Sequence, residues 1–72
     1  MNKTYALKDL DCASCAAKME TAIGKLDGVQ SVRVNFMTQK LSLTAEDELY
    51  EAILEQAKGI IRRIEPDCSL VL

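Results

Sequence analysis

Three features of this chain predict an α+β fold, a ferredoxin-like βαββαβ sandwich. Its apolar spacing changes from alternation to a helical period and back, twice. Asp27-Gly28 and Pro66 fall where the helical stretches stop. Its 72 residues suffice for six short elements around one core and make a single domain over residues 1–72. In such a fold the four strands form one antiparallel sheet, and both helices cover the same face of it.

The elements follow in order. Lys3 to Asp9 alternates loosely, with Tyr5 and Leu7 on one face, and reads as a strand. From about Ser14 onward Ala16, Met19, Ile23 and Leu26 recur at helical spacing; Ser14 or Asp11 is placed to cap the start, and Asp27-Gly28 ends the helix. Val29 to Phe36 alternates again. Met37-Thr38-Gln39 connects it to Lys40–Thr44, giving a hairpin without an Asn-Gly signal. The second helix starts near Glu46-Asp47, where acidic residues suit the positive end of the helix dipole. Its buried stripe is expected at Leu49, Ile53, Ala57, Ile60 and Ile64. Gly59 inside it costs about 1 kcal/mol relative to alanine. Arg62 and Arg63 complement the negative end of the dipole, and Pro66 prevents continuation. Cys68 to Leu72 is the last strand.

Composition narrows the function. At this length folding buries only roughly 60% of the unfolded surface, so the core is modest. With three aromatic residues and no Trp, aliphatic side chains fill that core, and the absence of His excludes histidine chemistry. Tyr5, Met19 and Phe36 are expected among the core residues. A net charge of -2 with scattered Lys and Arg lacks the basic stripe of a nucleic-acid binder. No apolar run approaches the roughly 20 residues of a membrane span, so no direct membrane insertion is expected. The start, MNKTYALK, has no secretory apolar segment. The chain therefore reads as cytoplasmic, alone or as a cytosol-facing piece of something larger. Three cysteines, an odd number, argue against a disulfide scaffold; in a reducing compartment they suit metal binding or redox work.

The stretch LDCASCAAKME carries that chemistry. Cys12 is expected in the loop and Cys15 in the first helical turn, where unpaired N–H groups and the dipole favour thiolate. Ala13 and Ser14 between them are small enough for the loop to fold around an ion. Two thiolates alone suit near-linear Cu(I), whereas a divalent ion wants about four ligands and accepts carboxylate oxygen. Asp11, adjacent to Cys12, supplies such an oxygen and adds negative charge. The predicted topology also brings Glu65, Asp67 and Cys68 to the same end of the sheet, as further candidate ligands. Plainer readings stand beside these: Asp11 as a helix cap, Cys68 as a buried inert thiol, Glu65 and Asp67 as loop carboxylates. Arg62 and Arg63 would offset a Cu(I)-bis-thiolate anion if one formed. A dithiol redox pair is the other use of Cys-x-x-Cys, but it expects a thioredoxin-like sheet and often Pro or Gly between the cysteines.

Across essentially its whole length the chain resembles the heavy-metal-associated domain family, through LDCASCAAKME, LDGVQSVRVNF, KLSLT and the second helix. That resemblance implies that Cys12 and Cys15 are the metal-binding cysteines. Copper members typically carry Met-x-Cys-x-x-Cys with Thr, Gly or His before the first cysteine, and a Gly-Phe or Gly-Tyr turn near the end. Here those positions hold Leu10 and Asp11, and the chain ends IRRIEPDCSLVL. Asp-Cys-x-x-Cys looks like the zinc-, cadmium- and lead-exporting P-type ATPase branch. The resemblance thus implies an N-terminal module that binds Zn(II), Cd(II) or Pb(II) and whose partner is the parent membrane ATPase. Without the Asp-Lys-Thr-Gly phosphorylation motif, a nucleotide site or membrane helices, it is not expected to be an enzyme by itself. A free-standing copper chaperone binding Cu(I) is the alternative, and a small dithiol oxidoreductase a more distant one. An open dithiolate site also allows a metal-bridged dimer.

Overall fold

The computed structural model describes residues 1–71. The elements are β1 (Asn2–Lys8), α1 (Ala13–Gly24), β2 (Val29–Asn35), β3 (Lys40–Ala45), α2 (Tyr50–Ile64) and β4 (Ser69–Val71). They form a four-stranded sheet in the order β2-β3-β1-β4 with every pair antiparallel, as predicted. Leu7, Leu41, Leu43 and Ala45 face both helices and join Met19, Ile23, Ile53, Ala57 and Ile61 in one core. The other face of the sheet is polar at its centre, where Thr4 pairs with Ser42 and their hydroxyls lie 3.0 Å apart. This division is what strand alternation produces when one face is covered and the other wet.

The turns explain the strand lengths. Asn35 closes the β2–β3 hairpin by accepting from Met37 N–H at 2.9 Å and Thr38 N–H at 3.1 Å. Gln39 then adopts a left-handed conformation (φ 55°), so an Asx turn replaces the missing Asn-Gly. Gly28 leads into β2 at φ 93°, a left-handed conformation that favours glycine.

Four expectations are corrected. Helix α1 ends at Gly24, before Asp27-Gly28, because Lys25 and Leu26 N–H groups bond three residues back and tighten the last turn. Tyr5 and Phe36 are half-buried at the margin of the core, Phe36 because it lies in the hairpin turn beside edge strand β2. The stripe of α2 is rotated by about one residue: Tyr50, Ile53, Ala57 and Ile61 are buried, Ile60 and Ile64 are partly buried, and Leu49 is 45% exposed. Leu49 lies in a separate 3₁₀ turn, Asp47–Leu49, whereas Tyr50 points inward to place its hydroxyl 2.9 Å from that of Tyr5. Cys68 precedes β4 instead of opening it; the predicted strand residue Leu72 lies outside the described residues. Among the described residues no helix is long and apolar enough to cross a membrane.

Candidate metal centre

The chain leaves β1 through Asp9, which takes a left-handed φ of 61°. That turn drives the Leu10 side chain into complete burial while Asp11 stays exposed. Cys12 is then the N-cap of α1, with extended backbone (φ −132°, ψ 115°) and its Sγ accepting the Cys15 N–H at 3.2 Å. Neither Asp11 nor Ser14 caps the helix. Because the first helical residue is Ala13, the cap position falls on the cysteine, and sulfur takes the acceptor role usually filled by oxygen.

Hydrogen bonding separates the two thiols. Bonds from the Cys15 side chain, Ser14 and the Cys15 backbone hold Cys12 down at about 7. Sharing that bond with Cys12, together with desolvation and the negative charges of Cys12 and Glu65, pushes Cys15 up to about 11. The pair thus holds one proton across the neutral range: Cys12 is largely thiolate above pH 7 and Cys15 remains a thiol. Ser14, read from sequence only as a small spacer or cap, has its Oγ 3.1 Å from Cys12 Sγ and helps stabilise the thiolate. The available signal was a hydroxyl two residues after a cysteine at a helix start.

This asymmetry fixes a pH dependence. Thiolate is the reactive form, so Cys12 alkylation by iodoacetamide is expected to rise with pH and reach half its plateau rate near pH 7. Cys15 follows only at higher pH. Cys68 is 1% exposed, and burial pushes its thiol up, so it reacts last. Peptide mapping of a pH series that found Cys15 modified first would overturn the assignment.

Of the other candidate ligands, Glu65 is hydrogen-bonded to the pair: the Cys15 thiol donates to its Oε2 at 3.8 Å, across fifty positions of chain. Cys68 is bound at its backbone, its N–H donating to the Glu65 carbonyl at 3.0 Å, and its thiol is buried. Asp67 is exposed and borders a separate groove with Lys58, Arg62 and Pro66. Among the described residues no three Cys, Asp or Glu groups form a ready-made cage. The geometry is a pair of sulfurs at a helix start, with Glu65 beside the Cys15 sulfur and Asp11 exposed one residue before Cys12. Two thiols so placed can exchange their protons for a thiophilic cation.

Comparison with known proteins places this arrangement. The model of the heavy-metal-associated domain matches residues 4–66. The chain belongs to that family. The domain is 38% identical over 66 residues to a cadmium, zinc and cobalt-transporting ATPase of Helicobacter pylori, covering 92% of this chain and 9% of that protein. A zinc/cadmium/lead-transporting P-type ATPase of Escherichia coli is 37% identical over 62 residues, 82% of this chain and 8% of its own length. A "Probable copper-exporting P-type ATPase" of Archaeoglobus fulgidus is 44% identical over 39 residues, 54% of this chain and 5% of its own length. The chain thus spans under a tenth of the length of each of these three relatives. The solved structure of the CopZ metallochaperone superposes with a TM-score of 0.76 at 22% identity, covering 99% of this chain and 100% of that one, a likeness of fold. This heavy-metal-associated domain is related to part of the heavy-metal-transporting P-type ATPases.

Proposed function

We propose that Cys12 and Cys15 take up a soft or borderline divalent ion, Zn(II), Cd(II) or Pb(II), with Asp11 as an oxygen ligand, in a cytoplasmic module of a metal-exporting P-type ATPase. The chain is read as one domain over residues 1–72 that delivers the ion to transport or adjusts transport to metal supply. The observation that carries this reading is the charge around the clamp. Cys12 is roughly half thiolate at pH 7, the Glu65 carboxylate lies 3.8 Å from Cys15 Sγ, and Asp11 precedes Cys12 in sequence. A field of that sign favours a dication over a monocation, and carboxylate oxygen suits zinc-like ions. The ATPase relatives named for cadmium, zinc and lead support the same choice. Cu(I) is the second reading; it needs only the two sulfurs, and a relative is named for copper. A second copy bridging through the metal would show as one ion per two chains.

Competitive titration of the reduced domain with Zn(II), Cd(II) and Cu(I), with and without Asp11→Ala, tests the reading. Losing the carboxylate is expected to weaken Zn(II) and Cd(II) by about tenfold or more and leave Cu(I) nearly unchanged. Equal binding of all three ions by both proteins would favour Cu(I) and leave Asp11 without a ligand role.

A further inference from the structure

The geometry points to Gln39, at the tip of the β2–β3 hairpin, as a positioning residue that holds the metal loop by clamping both backbone polar groups of Leu10. This inference rests on the proposed reading of Cys12 and Cys15 as the metal site. Strand β1 stops at Lys8, so the backbone N–H and C=O of Leu10 have no partner on a neighbouring strand. The Gln39 amide supplies both. Its Nε2 donates to the Leu10 carbonyl, and its Oε1 accepts the Leu10 N–H at 3.4 Å. The side chain thus imitates one more peptide of the ladder, across 29 positions of chain.

Gln39 is itself held in place. Its backbone carbonyl accepts the Leu7 N–H at 2.7 Å, and its left-handed φ of 55° turns the side chain back toward the loop. Both ends of the short Asp11-Cys12 connection are therefore anchored: Leu10 by its buried side chain and the amide clamp, Cys12 by capping α1. Without the clamp, the loop carrying Asp11 and the first sulfur swings about Asp9, and a bound ion loses its preset geometry. Partners behind first ligands are typically worth about ten- to a hundredfold in metal affinity.

The test compares wild type with Gln39→Ala, Gln39→Met and Gln39→Glu in the full chain. Met keeps the length and apolar contact but cannot make either bond; a carboxylate at neutral pH accepts from Leu10 N–H but cannot donate to its carbonyl. Cd(II) competition against a chromophoric chelator, read at the sulfur-to-cadmium charge-transfer band, is expected to show unchanged stoichiometry. Affinity in the Ala and Met variants should fall about tenfold through faster release. Amide hydrogen exchange of the metal-free proteins gives an independent readout: the Leu10 N–H should lose its protection in the Ala and Met variants and keep it in the Glu variant. A Met variant that binds Cd(II) within twofold of wild type would overturn the positioning role. So would a Leu10 amide equally protected in wild type and Gln39→Met, whether or not metal binds. Failure of wild type itself to bind Cd(II) would instead sink the proposed function, leaving the clamp to stand or fall on the exchange data.

Discussion

Cys12→Ser is expected to abolish useful metal binding while leaving the domain folded. Four-ligand zinc sites are worth about 10–16 kcal/mol, so one sulfur is worth roughly 2.5–4 kcal/mol, or a hundred- to a thousandfold in affinity. The loss should sit near the upper end, because Cys12 is the sulfur that ionises near neutral pH and serine does not. The fold should survive because a serine hydroxyl is a good helix cap and takes over the bond from Cys15 N–H. Isothermal titration with Cd(II), paired with thermal denaturation of the metal-free protein, separates the two effects. Retained affinity within tenfold of wild type would remove Cys12 from the ligand set.

Leu10→Ala is expected to produce the largest loss of stability near the site. Leu10 is completely buried, and deleting such a side chain costs about 2–5 kcal/mol through lost transfer energy and the cavity left behind. A domain this small has little to spare. In calorimetry the midpoint should drop by roughly 10–30 °C, whereas volume-conserving Leu10→Met should cost under about 1.5 kcal/mol. A shift below about 3 °C for the alanine variant would mean that the site stands on its other anchors.

Much of this architecture could be read from spacing. Leu7, Met19, Ile23, Leu41 and Leu43 announced their strands and helix by period, and the order of elements already put Cys15 and Glu65 at one end of the sheet. What escaped has a common cause: side chains and turns that break the period locally. Asp9, a non-glycine residue at positive φ, rotates the chain so that Leu10 enters the core from outside any alternating run. Tyr50 is buried through a hydroxyl pair with Tyr5, which leaves no trace in a hydrophobic pattern and shifts the phase of α2. The thiol cap at Cys12 was hidden because cysteine is not among the residues that usually cap helices. Gln39 looked like an ordinary turn residue, since an amide reaching back to Leu10 follows no sequence rule.

The strand order has a consequence for how the domain comes into being. β1 leads straight into the loop that carries Cys12, yet its neighbours are β3 and β4, paired through contacts such as Thr4↔Ser42 and Leu7↔Leu70. The first strand made is thus flanked by the third and the last, and contacts so distant in sequence form slowly because long loops must close first. During synthesis Cys12 and Cys15 emerge early but stay on an unanchored chain until the segment near Leu70 leaves the ribosome. A growing chain holds two loose thiols, and the site takes shape only once β4 has joined the sheet.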